Sequence, residues 1–192
     1  LGLLEEVENI DLGLIDRLTE QFVRNEPQID LPGEIIPAPY YPAEATADRV
    51  EEYKQARERG ERLIAEHKVA AFTVAGGQGT RLNFDGPKGD VPATAVRNKT
   101  LFRVFGESIR AVQRRYNCIV PWYIMTSPAN HDDTVASFEK NEYFGLNRDN
   151  VMHFRQGMMP SLDTEGKVLL AGPDRVAMNP DGHGGSLRAL YA

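Results

Sequence analysis

The chain has 192 residues, of which 41% are hydrophobic and 26% are charged, and its formal charge at pH 7 is −6. The single cysteine, Cys118, cannot form a disulfide within the chain, and the composition is neither collagen-like nor of low complexity. No apolar run reaches the roughly 18 residues that a membrane-spanning helix needs, and the acidic start does not resemble a secretory signal. We therefore expect a globular, cytoplasmic protein that does not bind membranes.

Charge is unevenly distributed along the sequence. Residues 1–67 carry 7 basic and 16 acidic side chains, a net charge of −9, whereas residues 68–192 carry 15 and 12, a net charge of +3. The second part can hold a phosphorylated small molecule, but it lacks the strongly basic surface, with a domain pI above roughly 9, that nucleic-acid binding usually shows. Nucleic acid is therefore not expected as a partner.

Residues 1–67 are predicted to form a helical N-terminal segment. Apolar residues recur every three or four positions over 3–22, which predicts one amphipathic helix. Five prolines in residues 27–42 predict an extended connector. A second helix should follow, capped by Thr46 or Asp48.

From residue 68 the pattern alternates between strands and helices. The run VAAFTVA is almost continuously apolar, which is typical of a parallel strand covered on both faces. Pro121 lacks an N–H donor, so it should lie at the start or edge of its strand. This order predicts right-handed crossovers and a doubly wound sheet. The predicted elements are strands over 69–75, from Ile119 and over 151–154, and helices from Thr100 and over about 132–140.

The strongest local signal is the glycine-rich loop after the first predicted strand. It reads AGGQGTRL over 75–82 and is followed by PKG at 87–89. Glycines allow positive φ and let backbone N–H groups approach an anion closely. Arg81 offers a planar fork for phosphate oxygens and Lys88 a compact charge. A loop at the carboxyl end of a parallel strand is where α/β sheets bind ligands, so we interpret it as a polyphosphate site.

Two familiar phosphate loops do not fit this stretch. No segment matches the Walker A pattern G-x-x-x-x-G-K-[ST]. The dinucleotide fingerprint G-x-G-x-x-G begins at Gly77, but Leu82 occupies the place of its third glycine, which argues against a dinucleotide-dependent oxidoreductase. A tight turn without chemical function is the remaining alternative.

Two later loops carry further candidates. Gln156 follows the strand that ends at Phe154, so it should lie on the same sheet edge as the glycine loop, where its amide could match a uracil or similar base. A solvated loop glutamine is the alternative. The stretch NPDGHGGS over 179–186 places His183 among three glycines, either close to a ligand or in an ordinary turn before a helix. Asp181 is interpreted as a turn or cap carboxylate rather than a metal ligand or general base.

The other histidines show no pattern of a metal site. His67, His131 and His153 lack metal-ligand spacing with one another and with Cys118, so we interpret them as surface or packing residues. Cys118 precedes an apolar strand and is expected to be a buried, unreactive thiol.

Taken together, these motifs resemble those of eukaryotic-type UDP-N-acetylglucosamine pyrophosphorylases and related UDP-sugar pyrophosphorylases. The matching stretches are AGGQGTRL with PKG, IVPWYIMTS, EYFGL, QGMMP and PDGHGG. The resemblance implies an α/β fold of the three-layer α/β/α, nucleotide-diphospho-sugar transferase-like (Rossmann-like) type, with a mostly parallel sheet. It implies that residues 68–192 are the N-terminal half of the catalytic domain, truncated at its C-terminal end, and that 1–67 are the helical N-terminal segment.

The resemblance also implies an activity and its residues. Such enzymes transfer uridylyl from UTP to a sugar 1-phosphate, here N-acetylglucosamine 1-phosphate or glucose 1-phosphate, and release pyrophosphate with the help of Mg²⁺. Arg81 would hold the leaving phosphates, and Lys88 would neutralise charge at the α-phosphate. Gln156 and Gly182 would read the uracil. The nucleotide would be bound by Ala75, Gly76, Gly77, Gly79 and Thr80.

Two departures from the family pattern limit what the resemblance implies. His183 stands where the N-acetylglucosamine enzymes typically have Asn and is similar to the residue of UDP-glucose enzymes, so it is a candidate sugar-binding residue and the sugar stays open. The family's metal-binding Asp and a second catalytic Lys would lie beyond residue 192. We therefore expect a longer protein, no metal ligand within this chain, and poor turnover by residues 1–192 alone.

A second hypothesis keeps the fold but removes the chemistry. The chain could be a catalytically inactive nucleotide-binding module with a regulatory or scaffolding role. The presence of both Arg81 and Lys88 argues against it, since binding alone would not need two cations.

Overall fold

A computed structural model of the chain describes residues 2–25, 33–182 and 184–191. The described helices are α1 (Gly2–Glu8), α2 (Leu12–Thr19), α3 (Val50–Ala65), α4 (Leu101–Tyr116), α5 (His131–Lys140) and α6 (Gly185–Tyr191). The described strands are β1 (Ala71–Val74), β2 (Trp122–Thr126), β3 (Val151–Arg155), β4 (Met158–Pro160), β5 (Leu170–Gly172), β6 (Arg175–Val176) and β7 (Met178–Pro180). None of these helices is long and apolar enough to cross a membrane.

The described residues form two compact units. The larger contains residues 41–156 and 184–191, and the smaller contains residues 2–25, 33–40 and 157–182. This division differs from the sequence-based one at residue 67, because α3 belongs to the larger unit and the first two helices to the smaller one.

The first helical segment is broken, although the sequence predicted one continuous helix. The Asp11 side chain accepts a hydrogen bond from the Leu14 amide (2.8 Å), which starts a new helix, α2, at that point. Ile15 and Thr19 are the buried residues of α2, whereas Val7 and Phe22 of the predicted apolar stripe are exposed.

The rest of the smaller unit consists of two short antiparallel pairs, β4 with β7 and β5 with β6. The Glu6 side chain of α1 accepts a hydrogen bond from the Val176 amide (2.7 Å). Gly166, at φ +84, packs so closely on Thr19 that a Cβ would lie 2.2 Å from the threonine Cγ2. The front helices therefore pack on a segment more than 130 residues away in sequence.

The larger unit is built on a parallel sheet with the order β1-β2-β3. Both strand pairs are parallel and in continuous register. The Pro121 carbonyl accepts a hydrogen bond from the Ala71 amide (2.8 Å) immediately before β2, so the proline lies at the start of its strand as predicted. The predicted α/β class and parallel sheet are confirmed.

The core lies on one face of this sheet. Trp122 and Ile124 of β2 are fully buried beneath Phe102 of α4 and Phe138 of α5, and the Phe102 and Phe138 rings are 4.9 Å apart between centroids. Cys118 is buried in the same cluster, as expected.

The opposite face of the sheet is only partly covered. Phe72, Val74 and Met152 on this face are 42%, 43% and 54% exposed. Within the described residues, β1 is therefore not covered on both faces, which corrects the expectation drawn from its apolar run. Of the predicted three layers, the described residues form the sheet and one helical layer, which consists of α4 and α5.

The predicted start of α4 at Thr100 is confirmed, whereas the cap predicted for α3 is wrong. The Thr100 hydroxyl accepts a hydrogen bond from the Arg103 amide (3.2 Å) and caps α4. The residue before α3 is Arg49, which pairs with Glu52 at 2.8 Å instead of capping. Asp48 accepts a hydrogen bond from the Thr46 side chain, which lowers the pKa of its carboxyl.

A left-handed turn follows α5. Glu142, Tyr143, Phe144 and Gly145 have φ values of 50°, 51°, 54° and 77°. A left-handed conformation costs about 1–2 kcal/mol for each residue other than glycine, so contacts elsewhere must offset this strain. Phe144 is buried, and its carbonyl accepts a hydrogen bond from the Arg110 guanidinium at 3.2 Å.

This turn generates a stability prediction for α4. A Cβ at Gly106 would lie 2.8 Å from the Phe144 Cβ. We expect Gly106→Ala to destabilise the protein by about 1–3 kcal/mol through overpacking, despite the better helix propensity of alanine. Urea denaturation provides the measurement.

Gly60 of α3 is the matched control, because nothing lies within 4 Å of its Cβ position. Gly60→Ala should be neutral or stabilise by up to about 1 kcal/mol. Equal changes in the free energy of unfolding for the two substitutions would contradict the close packing of Gly106 on Phe144.

Candidate functional site

Three loops meet at the carboxyl edge of the parallel sheet. They follow β1, β2 and β3, and parallel strands bring their carboxyl ends to one edge. The Gln156 amide donates to the Thr126 carbonyl at 2.8 Å, which continues the pairing of β3 with β2. The end of β3 is thereby tied to the end of β2, as predicted from the sequence order.

Gln156 packs directly on the glycine loop. Its residue is only 9% exposed. A Cβ at Gly76 would lie 3.1 Å from both the oxygen and the nitrogen of the Gln156 side-chain amide. The predicted placement on the same edge is confirmed, and the alternative of a solvated loop glutamine is wrong. Its contact with a base stays a prediction.

Gly76 and Gly79 allow close packing in the loop, and none of the loop glycines has a positive φ. The described glycines with positive φ, such as Gly86, all lie outside residues 75–82. The expectation that Gly76, Gly77 and Gly79 adopt positive φ is therefore wrong. A Cβ at Gly79 would lie 2.9 Å from the Phe84 carbonyl oxygen. Only a residue without a side chain fits at that contact.

The loop closes as a small hairpin that returns Lys88 to Gly77. The Gly79 amide donates to the Gly86 carbonyl (2.9 Å), and the Lys88 amide donates to the Gly77 carbonyl (3.0 Å). The Gly79 amide is thereby occupied within the loop. In the described structure, the amides of Gly76, Gly77 and Gln78 have no hydrogen-bond acceptor.

The two predicted cations are both exposed and unpaired. No ion pair of the described residues involves Arg81 or Lys88. Lys88 borders a cavity of about 270 Å³ together with Ala75 and Gly77. Arg81 does not line this cavity and lies in a short 3-10 turn with Thr80, which is also exposed. The structure therefore brings Lys88, Ala75, Gly76, Gly77 and Gln156 together and holds Arg81 on the adjoining turn.

Asp90 lies two residues after Lys88 at the edge of the site. Burial raises the pKa of its carboxyl, against the lowering effect of a hydrogen bond from the Ser137 hydroxyl at 2.7 Å. Sequence reasoning gave this residue no role, and its hydrogen bond to α5 indicates that it anchors the turn.

Asn130 is a second residue that sequence reasoning missed. It immediately precedes α5, where an asparagine normally caps the helix with its side chain. Its side chain makes no cap hydrogen bond and points to the glycine loop instead. In the sequence, the apolar strand β2 is followed by the polar residues Ser127 and Asn130. This pattern is also typical of an ordinary turn, so it did not identify Asn130.

The remaining predicted residues lie in the other unit or outside the described residues. Gly182 has φ +76, is exposed and belongs to the smaller unit. The Asp181 backbone amide donates to the Gly157 carbonyl at 3.1 Å, which agrees with a position in a turn. Its Oδ1 is buried and has no hydrogen-bond partner in the described structure, so the carboxylate does not act as a cap there. His183, the candidate sugar-binding residue, lies outside the described residues.

His67, His131 and His153 serve packing and hydrogen bonding. His67 is exposed and accepts a hydrogen bond from the Ile119 amide (3.0 Å). Burial lowers the pKa of His153 to about 4, and its ring lies 4.7 Å from that of Phe138. Burial also lowers the pKa of His131. Over residues 2–25, 33–182 and 184–191, no group of three or more His, Cys, Asp or Glu side chains could hold a metal ion.

Comparison with known proteins assigns this arrangement to a family. The profile of UTP–glucose-1-phosphate uridylyltransferases matches residues 19–192. The chain belongs to this family. It is 34% identical over 98% of its length to UDP-N-acetylglucosamine diphosphorylase 2 of Arabidopsis thaliana, covering 39% of that protein. It is 43% identical over 69% of its length to UDP-N-acetylhexosamine pyrophosphorylase-like protein 1 of Mus musculus, covering 27% of it.

A solved structure of the family has the same fold. The uridine diphosphate N-acetylglucosamine pyrophosphorylase of Trypanosoma brucei, in complex with an inhibitor, matches 76% of the chain with a TM-score of 0.69 and 31% identity. The match covers 31% of that protein. The chain thus spans between about a quarter and two fifths of the length of these relatives.

The glycine loop generates a prediction about its glycines. A Cβ at Gly79 meets a backbone carbonyl at 2.9 Å, whereas a Cβ at Gly77 meets the flexible Lys88 side chain at 3.5 Å. We expect Gly79→Ala to lower the free energy of unfolding by about 1–3 kcal/mol and to make the loop susceptible to limited proteolysis. Gly77→Ala, the control, should fold and resist proteolysis like the wild type. Equal proteolysis of both variants would contradict the role of Gly79 in closing the loop.

Proposed function

We propose that this chain is the UTP-binding part of a uridylyltransferase that makes a UDP-sugar and pyrophosphate from UTP and a sugar 1-phosphate. The observation that carries the proposal is the glycine loop, whose amides at Gly76, Gly77 and Gln78 have no acceptor and whose neighbours Arg81 and Lys88 have no counter-ion in the described structure. Unpaired amides and cations at the end of a parallel strand suit a triphosphate. Family membership agrees with this ligand.

The chemistry needs positioning and charge stabilisation more than reactive side chains. An oxygen of the sugar phosphate attacks the α-phosphorus of UTP, and the bond from that phosphorus to the bridging oxygen of the β-phosphate breaks. Pyrophosphate leaves with the bonding electron pair. Lys88 would neutralise charge at the α-phosphate, and Arg81 would bind the leaving phosphates. No covalent enzyme intermediate is required.

Base recognition is proposed for Gln156. The side-chain amide presents a donor and an acceptor side by side, which matches the adjacent carbonyl and N–H of uracil. Packing on Gly76 orients this amide before the nucleotide binds. Pre-orientation reduces the entropy that binding must overcome. A contact of Gly182 with the base, which the family resemblance implies, stays a prediction.

Mg²⁺ is expected to assist the reaction, as the family resemblance implies. The described residues include no cluster of three acidic or histidine side chains. The family resemblance predicts that the metal ligand lies beyond residue 192. The roles proposed for Arg81, Lys88 and Gln156 concern the nucleotide alone and do not depend on the ion.

The cytoplasmic location expected from the sequence stays a prediction.

Nucleotide binding is the first test. Arg81→Ala and Lys88→Ala should each weaken UTP binding by about 10- to 100-fold, because a charge-assisted hydrogen bond is worth about 1.5–3 kcal/mol. Isothermal titration with UTP measures this, with CTP and ATP as comparison ligands. Arg97→Ala and Lys54→Ala, which remove exposed cations elsewhere in the larger unit, should leave UTP affinity unchanged. A wild-type chain that does not bind UTP would overturn the proposal.

Turnover separates an enzyme from a binding module. Pyrophosphate release is measured with UTP, Mg²⁺ and the 1-phosphates of N-acetylglucosamine, glucose and galactose, using residues 1–192 and a full-length protein that contains them. We expect release with the full-length protein and little with residues 1–192 alone. UTP binding without release by the full-length protein would favour the inactive module.

The same assay tests the sugar preference. If His183 contacts the sugar, His183→Asn should shift the ratio of the rates with N-acetylglucosamine and glucose 1-phosphates by about tenfold. An unchanged ratio would remove His183 as a selector.

A further inference from the structure

The amide of Asn130 joins two of the loops at the carboxyl edge of the sheet. Asn130 is only 1% exposed. Its Nδ2 donates to the Ala75 carbonyl (2.8 Å) and to the Gly77 carbonyl (3.2 Å). Its Oδ1 accepts from the amide of Ser127 (2.9 Å) and from the Ser127 hydroxyl (3.0 Å). Both donors and both acceptor sites of the side chain are therefore used.

These bonds fix the direction in which loop amides point. A trans peptide group is planar, so its N–H points opposite to its C=O. The Ala75 carbonyl shares a peptide group with the Gly76 amide, and the Gly77 carbonyl shares one with the Gln78 amide. Asn130 holds the Ala75 carbonyl, and it shares the Gly77 carbonyl with the Lys88 amide. The amides of Gly76 and Gln78 therefore point away from Asn130. These are two of the amides that have no acceptor in the described structure.

We propose that Asn130 is a positioning residue for the glycine loop. Its hydrogen bonds orient the Gly76 and Gln78 amides towards the triphosphate. This inference rests on the proposed function for the identity of the ligand, whereas the hydrogen bonds of Asn130 are independent of it. Asn130 does not itself touch the nucleotide in this role. A carboxylate could not replace it, because an ionised Asp has no donor for the two carbonyls.

A buried amide is suited to this role because it cannot rearrange cheaply. Each buried polar group left without a partner costs about 1–3 kcal/mol. If the loop moved away, the Nδ2 donor and the Ala75 carbonyl would lose their bonds, and the Gly77 carbonyl would keep only its bond from the Lys88 amide. The loop is therefore held in its binding conformation before any ligand arrives.

Thr134 provides the matched control for the experiment. It is also fully buried, and its hydroxyl donates to the Asn130 carbonyl at 2.7 Å. Thr134→Val removes a buried hydrogen bond of the same region without touching the loop. Asn130→Ala removes the loop bonds, and Asn130→Ser serves if the alanine variant does not fold, because a serine side chain is too short to span both carbonyls.

The experiment measures hydrogen exchange, UTP affinity and melting temperature for each variant. The exchange probes are the Gly79 and Lys88 amides, which are hydrogen-bonded across the loop. The Asn130 variant should accelerate their exchange at least tenfold and weaken UTP binding at least tenfold. Thr134→Val should lower the melting temperature but change neither quantity more than twofold.

Two results would overturn the proposal. One is unchanged exchange at Gly79 and Lys88 in the Asn130 variant, and the other is an equal loss of UTP affinity in Thr134→Val. If the wild type binds no UTP but the Asn130 variant still accelerates exchange, the proposed function fails while the positioning of the loop is supported.

Discussion

Parallel pairing of three short strands is the constraint on which the candidate site depends. Because β1, β2 and β3 run in the same direction, the three segments that follow them emerge side by side. This pairing brings together the glycine loop, Asn130 and Gln156. Gly76, Asn130 and Gln156 are 26 to 80 residues apart in sequence. The core beneath β2, formed by Phe102 and Phe138, keeps the strands in register.

The sequence predicted the elements of the larger unit well for a physical reason. Strands β1 to β3 are short apolar runs, and α4 and α5 have periodic apolar positions with distinct starts, such as Thr100 before α4. Such patterns are local, so they can be recognised without knowing the fold. The edge location of Gln156 followed from strand order alone.

Other features depend on contacts that local patterns do not contain. The break before α2 depends on one hydrogen bond of Asp11, and the apolar period continues through it. The assignment of the first helices to the unit of residues 157–182 requires tertiary contacts. For Asn130, the sequence position indicates a helix cap, and only the structure shows that the side chain turns to the loop. The sequence predicted positive φ for the loop glycines, whereas the structure shows close packing at Gly76 and Gly79.

The left-handed turn after α5 has a consequence for the order of folding. Its three residues other than glycine together store about 3–6 kcal/mol of strain, a large fraction of the 5–15 kcal/mol that typically stabilises a domain. An isolated segment would not adopt this conformation. The turn can persist only after α4 has docked on the sheet and presents Arg110 to the Phe144 carbonyl. We therefore expect this turn to form after α4 has packed on the sheet.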